Sequence, residues 1–511
     1  MREGRWGKAW LVAAGAVAAG ATAAVVAARR RRERPQAWGE RGERAEHALR
    51  ATTRASRGAE VARLGARVGT SVAANRARRI FASAEGKVAL DAELELRTAE
   101  EVAATLGSMK GGLMKVGQLA SFLDDGMPET VRQALAQLQQ DAPPMSAELA
   151  AQVIETELGR PPDQLFAEWD PTPIAAASIG QVHRAITHDD VAVAVKVQYP
   201  GVEEAIRADL DGFDVAMLPA PVLYRGFDAK PFIEEVRARI GEELDYRVEA
   251  ANQRLFADWY EGHPFIHVPP VLERLSTGKV LTTELATGAR FSELEGWDPA
   301  ERNLAAETIF RFVFRSLYRL RSFNGDPHPG NYLFRPGGRV TFLDFGLVKH
   351  FTAADIADIM EIAKATVLEP STAGLRRALE RAGYYPPGAP VSDEEVWDYG
   401  VLFWEMVRHD QPFRFTPEYA SEVARQFLFG RATHGDAVKW ANMPARWVIL
   451  QRINVGLIAI LGRLGAESDW RRISEEMWPM TDAPPSTALG REEATWWATR
   501  GQGLEDVATA T

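Results

Sequence analysis

FNGDPHPGNYLFRPGGRVTFLDFG, residues 323–346, is the stretch on which the reading of this 511-residue chain turns. It carries Asp326, then Asn331, then Asp344 inside an Asp-Phe-Gly triplet. Between Asn331 and Asp344 lie two apolar β-type runs, residues 332–334 and 340–343, joined by Arg335-Pro336-Gly337-Gly338-Arg339. A proline and two glycines between such runs predict a hairpin. The hairpin brings Asn331, just before its first strand, beside Asp344, just after its second. Two oxygen ligands at one point suit a hard cation such as Mg²⁺, which takes a few protein oxygens and completes its shell with phosphate and water. Asp326, one short loop away, is placed to accept a hydroxyl proton or orient an attacking group.

A lone Asp-Phe-Gly is a weak signal, and the bland alternative is acidic turn residues capping an ordinary hairpin. The full layout, D-x-x-x-x-N followed at hairpin distance by D-F-G, is far more specific and belongs to kinase-like phosphotransfer sites. Upstream features agree with it. Residues 173–185 predict a strand, a tight small-residue turn and a second strand, with Ala175, Ala176, Ala177 and Ser178 where kinases carry glycines over the phosphates. Alanine keeps that turn small but lacks glycine's access to positive φ. The next predicted strand, 191–198, holds Lys196 in a Val-Ala-Val-Lys setting. Its alternation puts Val191, Val193 and Val195 on one face, and Lys196 on the other with Ala192 and Ala194. That small face suits a nucleotide cleft, with Lys196 on the phosphates.

A helix predicted over residues 233–253 offers Glu243, Asp245 and Glu249 as partners for that lysine. Glu243 and Glu249 stand about 240° apart round such a helix, so they cannot serve the same partner. Strands over 268–275 and 279–285 predict a second hairpin around Ser276-Thr277-Gly278. Glu284-Leu285-Ala286 then forms a hinge whose backbone groups face adenine. Residues 303–322 read as helix, and Thr352 with Asp355 opens another so soon after Gly346 that no room is left for a peptide-holding segment. Residues 448–464 are apolar but interrupted by Arg452 and Arg463, which favours core over a membrane span. Residues 481–511, rich in Ala, Thr and Gly, read as a mobile tail.

The net charge of −10 hides an asymmetry: residues 1–90 carry 19 Lys/Arg against 7 Asp/Glu, and the remainder 41 against 63. A basic leading segment on an acidic body suggests a tail that meets an anionic membrane surface; no nucleic-acid partner is expected. The chain has no cysteine, which excludes disulfides, thiolate metal sites and cysteine catalysis. Residues 9–28 are uncharged and long enough to cross a bilayer, and Arg29–Arg32 and Arg34 follow at once. By the positive-inside rule this anchor leaves the large C-terminal part in the cytoplasm. A secretory signal, or an Ala-rich soluble helix (eleven of the twenty residues are Ala), are the other readings. Residues 36–95 form a basic helical stem.

Residues 96–140 predict a buried amphipathic helix, capped by Thr98 and Glu101, then a second helix. Lys115, Gly117 and Gln118 lie in the first. Taken alone, Lys115 is an ordinary snorkelling lysine.

With Lys115-Val-Gly117-Gln118, Ala175-Ala-Ala-Ser178, Val195-Lys196-Val-Gln-Tyr-Pro-Gly201, Glu243-Leu-Asp245, Asp326-Pro-His-Pro-Gly-Asn331 and Asp344-Phe-Gly346 assembled, residues 95–480 resemble the UbiB-type atypical kinases, the aarF-domain, coenzyme-Q-related family. The resemblance implies an α+β, bilobal protein-kinase-like fold with added N-terminal helices covering the cleft and a mostly helical C-lobe. It divides the chain into an anchor (1–35), stem (36–95), K-x-G-Q extension (96–145), N-lobe (146–288), C-lobe (289–480) and tail (481–511). It also implies that Lys115, Gly117 and Gln118 with Glu243 and Asp245 form a regulatory set, that Lys115 and Gln118 reach the site with Lys115 among its catalytic residues alongside Asp326 and Lys196, and that Glu249 partners Lys196. Asn331 and Asp344 would hold Mg²⁺, with Asp326 at the catalytic-base position. ATP binding and ATPase activity follow from it, with an isoprenoid-quinone or other membrane-lipid pathway component as partner. Asn324 departs from the kinase pattern by standing where a structural histidine is usual.

Overall fold

The computed structural model describes residues 145–177, 179–203, 244–325, 327–429, 437, 440–441 and 444–509. The expected anchor, stem and K-x-G-Q extension, with Lys115, Gly117 and Gln118, lie outside the described residues, as do Ser178, Glu243 and Asp326. The architecture is α+β and kinase-like, in two compact units. Of the described residues, the first takes those up to Tyr246 with Arg274–Thr282, and the second Arg247–Glu273 and those from Thr283 on.

In the first unit, α1 (Ala147–Leu158) begins where the Ser146 hydroxyl accepts from the Leu149 N–H and ends at Gly159, whose φ of 76° suits only glycine without strain. A four-stranded sheet follows in the order β1 (Glu168–Ala176), β2 (Gly180–Ile186), β3 (Ala192–Gln198), β4 (Val280–Glu284). The predicted alternation holds in β3. Val193, Val195 and Val197 are fully buried while Ala192, Ala194 and Lys196 are half-buried on the other face. Burying a valine fully is worth about 1.5–3 kcal/mol, so this pattern fixes the register. Val191 precedes the strand and is exposed.

Two expectations need correction here. Residues 268–275 are not the first strand of a hairpin: Glu273–Leu275 is a 3₁₀ turn and Val271 makes only an isolated bridge to Thr283. The helix expected over 233–253 is not continuous either, because Leu244 is in a turn, Asp245 belongs to no element, and α2 spans Tyr246–Trp259. Tertiary hydrogen bonds explain the late start. The Gln198 side-chain amide donates to the Leu244 carbonyl (3.1 Å) and the Tyr246 N–H donates to Gly278 (2.9 Å), so this backbone is tied to the sheet.

The second unit is built on α3 (Pro299–Arg315), whose Ile309, Phe310, Phe312 and Val313 are all buried. A π-helical turn, Ser316–Leu320, leads to β5 (Ser322–Asn324), which pairs with β8 (Val348–His350). The predicted hairpin is present as β6 (Tyr332–Arg335) and β7 (Arg339–Phe342), turning through Gly337 and Gly338 with φ of 78° and 71°. The Thr352–Asp355 capping box opens α4 (Ala353–Ala363) as expected, and α5 (Thr372–Arg381) and α6 (Pro417–Phe429) follow. Helix α7 (Ala445–Leu464) is core, with Ile453, Leu457 and Leu461 buried and Arg463 paired to Glu295 at 2.8 Å. Among the described residues no helix is long and apolar enough to cross a membrane.

The mobile tail expected after residue 480 is instead a docked helix. Beyond α8 (Trp470–Met477) comes α9 (Ala488–Thr509), with Leu489 and Glu493 buried. Arg311, with no exposed surface, donates to Glu307 (2.7 Å), Glu476 (2.8 Å) and Glu493 (2.9 Å), and Arg315 donates to Glu493 at 2.9 Å. Burial opposes ionisation of Glu493, but Arg315, His263 and Arg311 together hold its carboxyl well below the usual carboxylate range. Burial also lowers the His263 pKa below its ordinary value of 6.5, so the folded ring is harder to protonate than the unfolded one. Both shifts act in one direction. His263 costs stability as pH falls below 6.5, and Glu493 contributes stability above 4.5 that disappears as pH falls through its depressed value. Melting temperature therefore declines on acidification from just below pH 6.5, and Glu493→Gln removes the lower part of the decline. A flat profile between pH 7 and 4 contradicts this account.

Candidate functional site

In the second unit the hairpin does what its spacing predicts: the Leu343 N–H donates to the Asn331 carbonyl at 3.0 Å, fixing Asn331 beside the residue that precedes Asp344. Asn331 ends a 3₁₀ turn (Pro329–Asn331) in which its N–H reaches the His328 carbonyl (2.9 Å) and His328 Nδ1 accepts from Gly330 (3.1 Å). The Asp-Phe-Gly triplet is held from three sides. Asp344 Oδ1 accepts from the Gly346 N–H at 2.9 Å. Asn324 Nδ2 donates to the Asp344 carbonyl at 2.8 Å, so the departure from the kinase pattern keeps a side-chain donor on the triplet. Asn252 Nδ2 donates to the Phe345 carbonyl at 3.1 Å, while the Phe345 ring packs 5.0 Å from Phe256.

Glu249, Asn252 and Phe256 thus meet the triplet from one face of α2, as their three- and four-residue spacing allows. A Cβ built on Gly346 would lie 3.7 Å from Glu249 Oε2, so this buried carboxylate stands beside the triplet. Its place in the first turn of α2 favours the anion through the helix dipole.

Two glycines make room for close backbone packing near Pro327. A Cβ on Gly325 would come within 2.9 Å of the Leu347 carbonyl, and one on Gly456, in α7, within 2.5 Å of Pro327 Cγ. Pro327 therefore rests directly on the α7 backbone. Gly456→Ala pushes this loop off the helix, and misplacement of about 1 Å costs on the order of 10²-fold in rate. We expect any turnover at this site to fall at least tenfold in Gly456→Ala with a smaller proportional change in thermal stability; unaltered kcat contradicts it.

Asn331 and Asp344 would offer two oxygens to a Mg²⁺ ion that completes its shell with phosphate and water. Among the described residues no three His, Asp or Glu side chains gather as metal ligands.

The first unit carries Lys196, whose Nζ lies 5.0 Å above the Tyr246 ring, a cation–π distance. Gly180, at the start of β2, has no room for a side chain: a Cβ would meet the Val197 carbonyl at 2.3 Å and Tyr246 Oη at 2.9 Å. The alanine-rich loop is shorter than its sequence suggests. Ala175 and Ala176 are strand residues paired with Val182 and Gln181, and the turn is closed by Ala177 N–H donating to Gly180 (2.8 Å). Alanine has no need of positive φ in a strand, so only Ala177 stands at the turn itself. Asp245 is half-buried just before α2.

Where the sequence predicts a hinge, the Glu284 N–H is given to the Pro270 carbonyl (3.0 Å), so it is not free for a ligand, and the Glu284 carboxylate lies 3.3 Å from His267. Ala286 follows the strand. Sequence reasoning passed over Asn252 and Gly456. The first was legible as a polar residue on the Glu249–Phe256 face, and the second as an isolated glycine inside an apolar helix, which asks for a packing reason.

A sequence profile described as the ABC1 atypical kinase-like domain matches residues 137–376. The rat mitochondrial atypical kinase COQ8B is 33% identical over 269 residues, covering 52% of this chain and 51% of the relative. The Synechocystis protein sll1770 is 31% identical over 360 residues, covering 65% and 60%. AarF domain-containing protein kinase 1 of mouse is 29% identical over 318 residues, covering 60% of each. The chain therefore spans between half and three-fifths of the length of these curated relatives. Among solved structures, Rv3197 of Mycobacterium tuberculosis, in complex with erythromycin, is similar over 77% of this chain and 98% of its own, at 33% identity and a TM-score of 0.55.

Proposed function

The chain belongs to the ABC1 atypical kinase-like family, the UbiB type, and from that membership we propose a Mg²⁺-dependent ATPase or small-molecule kinase that serves isoprenoid-quinone or other lipid metabolism at a membrane. One observation carries the reading: the hairpin bonds Asn331 to Leu343, the residue before Asp344, with the triplet braced by Asn324 and Asn252. Asn331 and Asp344 hold the cation, which when bound neutralises charge developing on a transferred phosphoryl group. Lys196 orients the nucleotide phosphates, the turn at Ala177 lies over them, and Ala286 meets adenine. Asp326 takes the base position, and Lys115, Gln118, Glu243 and Asp245 regulate entry. The five residues between Gly346 and the Thr352 cap leave no segment to hold a peptide, which disfavours protein substrates.

The test is ATP hydrolysis by the full chain with and without Mg²⁺ and with and without anionic vesicles. Mg²⁺-dependent turnover that rises with vesicles supports the proposal. Binding without turnover in every condition moves the protein to a nucleotide-binding scaffold, a reading favoured by Ala177, in place of glycine, in the phosphate-covering turn. Because the Mycobacterium tuberculosis relative was solved with erythromycin, that macrolide belongs in the same assay as a candidate ligand.

A further inference from the structure

The sheet of the first unit carries a line of buried hydrogen bonds that can run in only one direction. The register of β1 on β2 shifts between Trp169 and Pro173. Within that gap the Thr172 N–H turns back to Asp170 Oδ1 at 2.9 Å, so the Asp170 carbonyl falls between paired residues. His183 Nδ1 meets that carbonyl at 2.9 Å. His183 Nε2 lies 2.9 Å from Gln181 Nε2, and Gln181 Oε1 accepts from the Met145 N–H at 2.9 Å. Gln181 Nε2 also reaches the Met145 carbonyl, at 3.4 Å. His183 is fully buried and Gln181 1% exposed, and the Trp169 ring stacks on the imidazole at 4.6 Å.

Both ends fix the protons. A carbonyl only accepts, so Nδ1 carries the hydrogen and Nε2 keeps a lone pair. A main-chain N–H only donates, so the Gln181 oxygen faces Met145 and its amide nitrogen faces the ring. The two assignments agree where Gln181 meets His183. A proton added at Nε2 sets donor against donor there. Turning the Gln181 carboxamide over gives the ring an acceptor, but it points the NH₂ at the Met145 N–H and the oxygen at the Met145 carbonyl. Both links to Met145 then become repulsive. Gln181 stands one residue past the turn closed by Ala177 and Gly180, and Met145 leads into α1 through the Ser146 cap.

We propose that His183 is a positioning residue: its neutral ring, acting through Gln181, ties the turn at Ala177 to the chain that enters α1 at Met145, and a proton on Nε2 unties them. Only the turn's bearing on phosphates rests on the proposed phosphotransfer function, and the test is made without nucleotide, so either can fail alone. Among the described residues the charged group acting on the ring is the Asp170 carboxylate, from β1; Trp169, Gln181 and Met145 carry none. Burial outweighs the Asp170 carbonyl and carboxylate and moves the ring's pKa below its ordinary 6.5. The tie is therefore intact above 6.5 and loosens below it.

The test is amide hydrogen exchange in the full chain, read by mass spectrometry on overlapping peptides that resolve Met145, each rate referred to that of unstructured chain at the same pH. A ring protonated only on release makes release easier with each pH unit below 6.5, so protection of Met145 falls at least about tenfold between pH 7 and pH 5. The buried Val193, Val195 and Val197 of β3 keep theirs. In Gln181→Glu the carboxylate accepts from Met145 and from the protonated ring together, so protection persists at pH 5. Gln181→Met has no clasp and leaves Met145 weakly protected at both pH values. Protection that ignores pH in the parent, a fall that β3 shares, an equal fall in Gln181→Glu, or full protection in Gln181→Met overturns the proposal.

Discussion

Asp344→Asn is expected to lower Mg²⁺-dependent ATP turnover at least about 10²-fold, the scale of losing one preorganised electrostatic group at a reacting centre. The substitution is chosen because little else changes. The Oδ1 that accepts from Gly346 at 2.9 Å is kept by asparagine. The contact from Asn324 goes to the Asp344 main-chain carbonyl, and that from Asn252 to Phe345, so neither depends on the carboxylate. What is lost is the negative charge that the proposed function places opposite the cation. The measurement is steady-state hydrolysis against Mg²⁺ concentration, with melting temperature and nucleotide binding followed in parallel. Unchanged turnover with an intact fold ends the catalytic reading. Retained binding with lost turnover places the defect in chemistry, where the proposed role puts it.

Arg311→Ala is the second large effect, and it concerns stability. Arg311 is fully buried and its guanidinium meets Glu307, Glu476 and Glu493 at 2.7–2.9 Å. Removing it leaves Glu307 and Glu476 without their cation and Glu493 with Arg315 alone, and the most exposed of the three side chains is only 7% accessible. Breaking a buried pair from one side costs about 3–5 kcal/mol, because the cost is that of the orphaned charge rather than the worth of the pair. The expected outcome is a loss of that order in denaturant-derived stability, with cleavage by protease in α9 at concentrations that leave the parent whole. Truncation after residue 480 should act the same way, since it removes Glu493 and bares Arg311. A loss below about 1 kcal/mol in Arg311→Ala contradicts the role assigned to the cluster.

The hairpin and the Asn331–Asp344 apposition were legible because everything needed lies within 24 residues: two apolar runs, a Pro-Gly-Gly turn and polar residues at the strand ends. The β3 alternation around Lys196 was legible for the same reason, as was the Thr352 cap. The start of α2 was not. Residues 233–253 have helical composition, but the backbone at Leu244 and Tyr246 is engaged by Gln198 and Gly278, whose proximity no local pattern announces. The expected strand over 268–275 failed similarly, since β-type composition there met no partner strand beyond one bridge.

The amino-acid sequence by itself therefore determined the chemistry available to this protein. Short-range turn stereochemistry sets the hairpin that bonds Asn331 to the residue before Asp344, and side-chain period sets the β3 face that carries Lys196, each without help from distant residues. Only the tertiary structure decided what braces that chemistry. Asn252 reaches Phe345 across 93 positions, and Gly456 makes space for Pro327 from the far end of the chain. Arg311 and Glu493, 182 positions apart, turn an Ala-, Thr- and Gly-rich terminus into a docked helix. A charge on a bland segment reads as solvated until the opposite charge that buries it is in place, and burial is set by the whole fold.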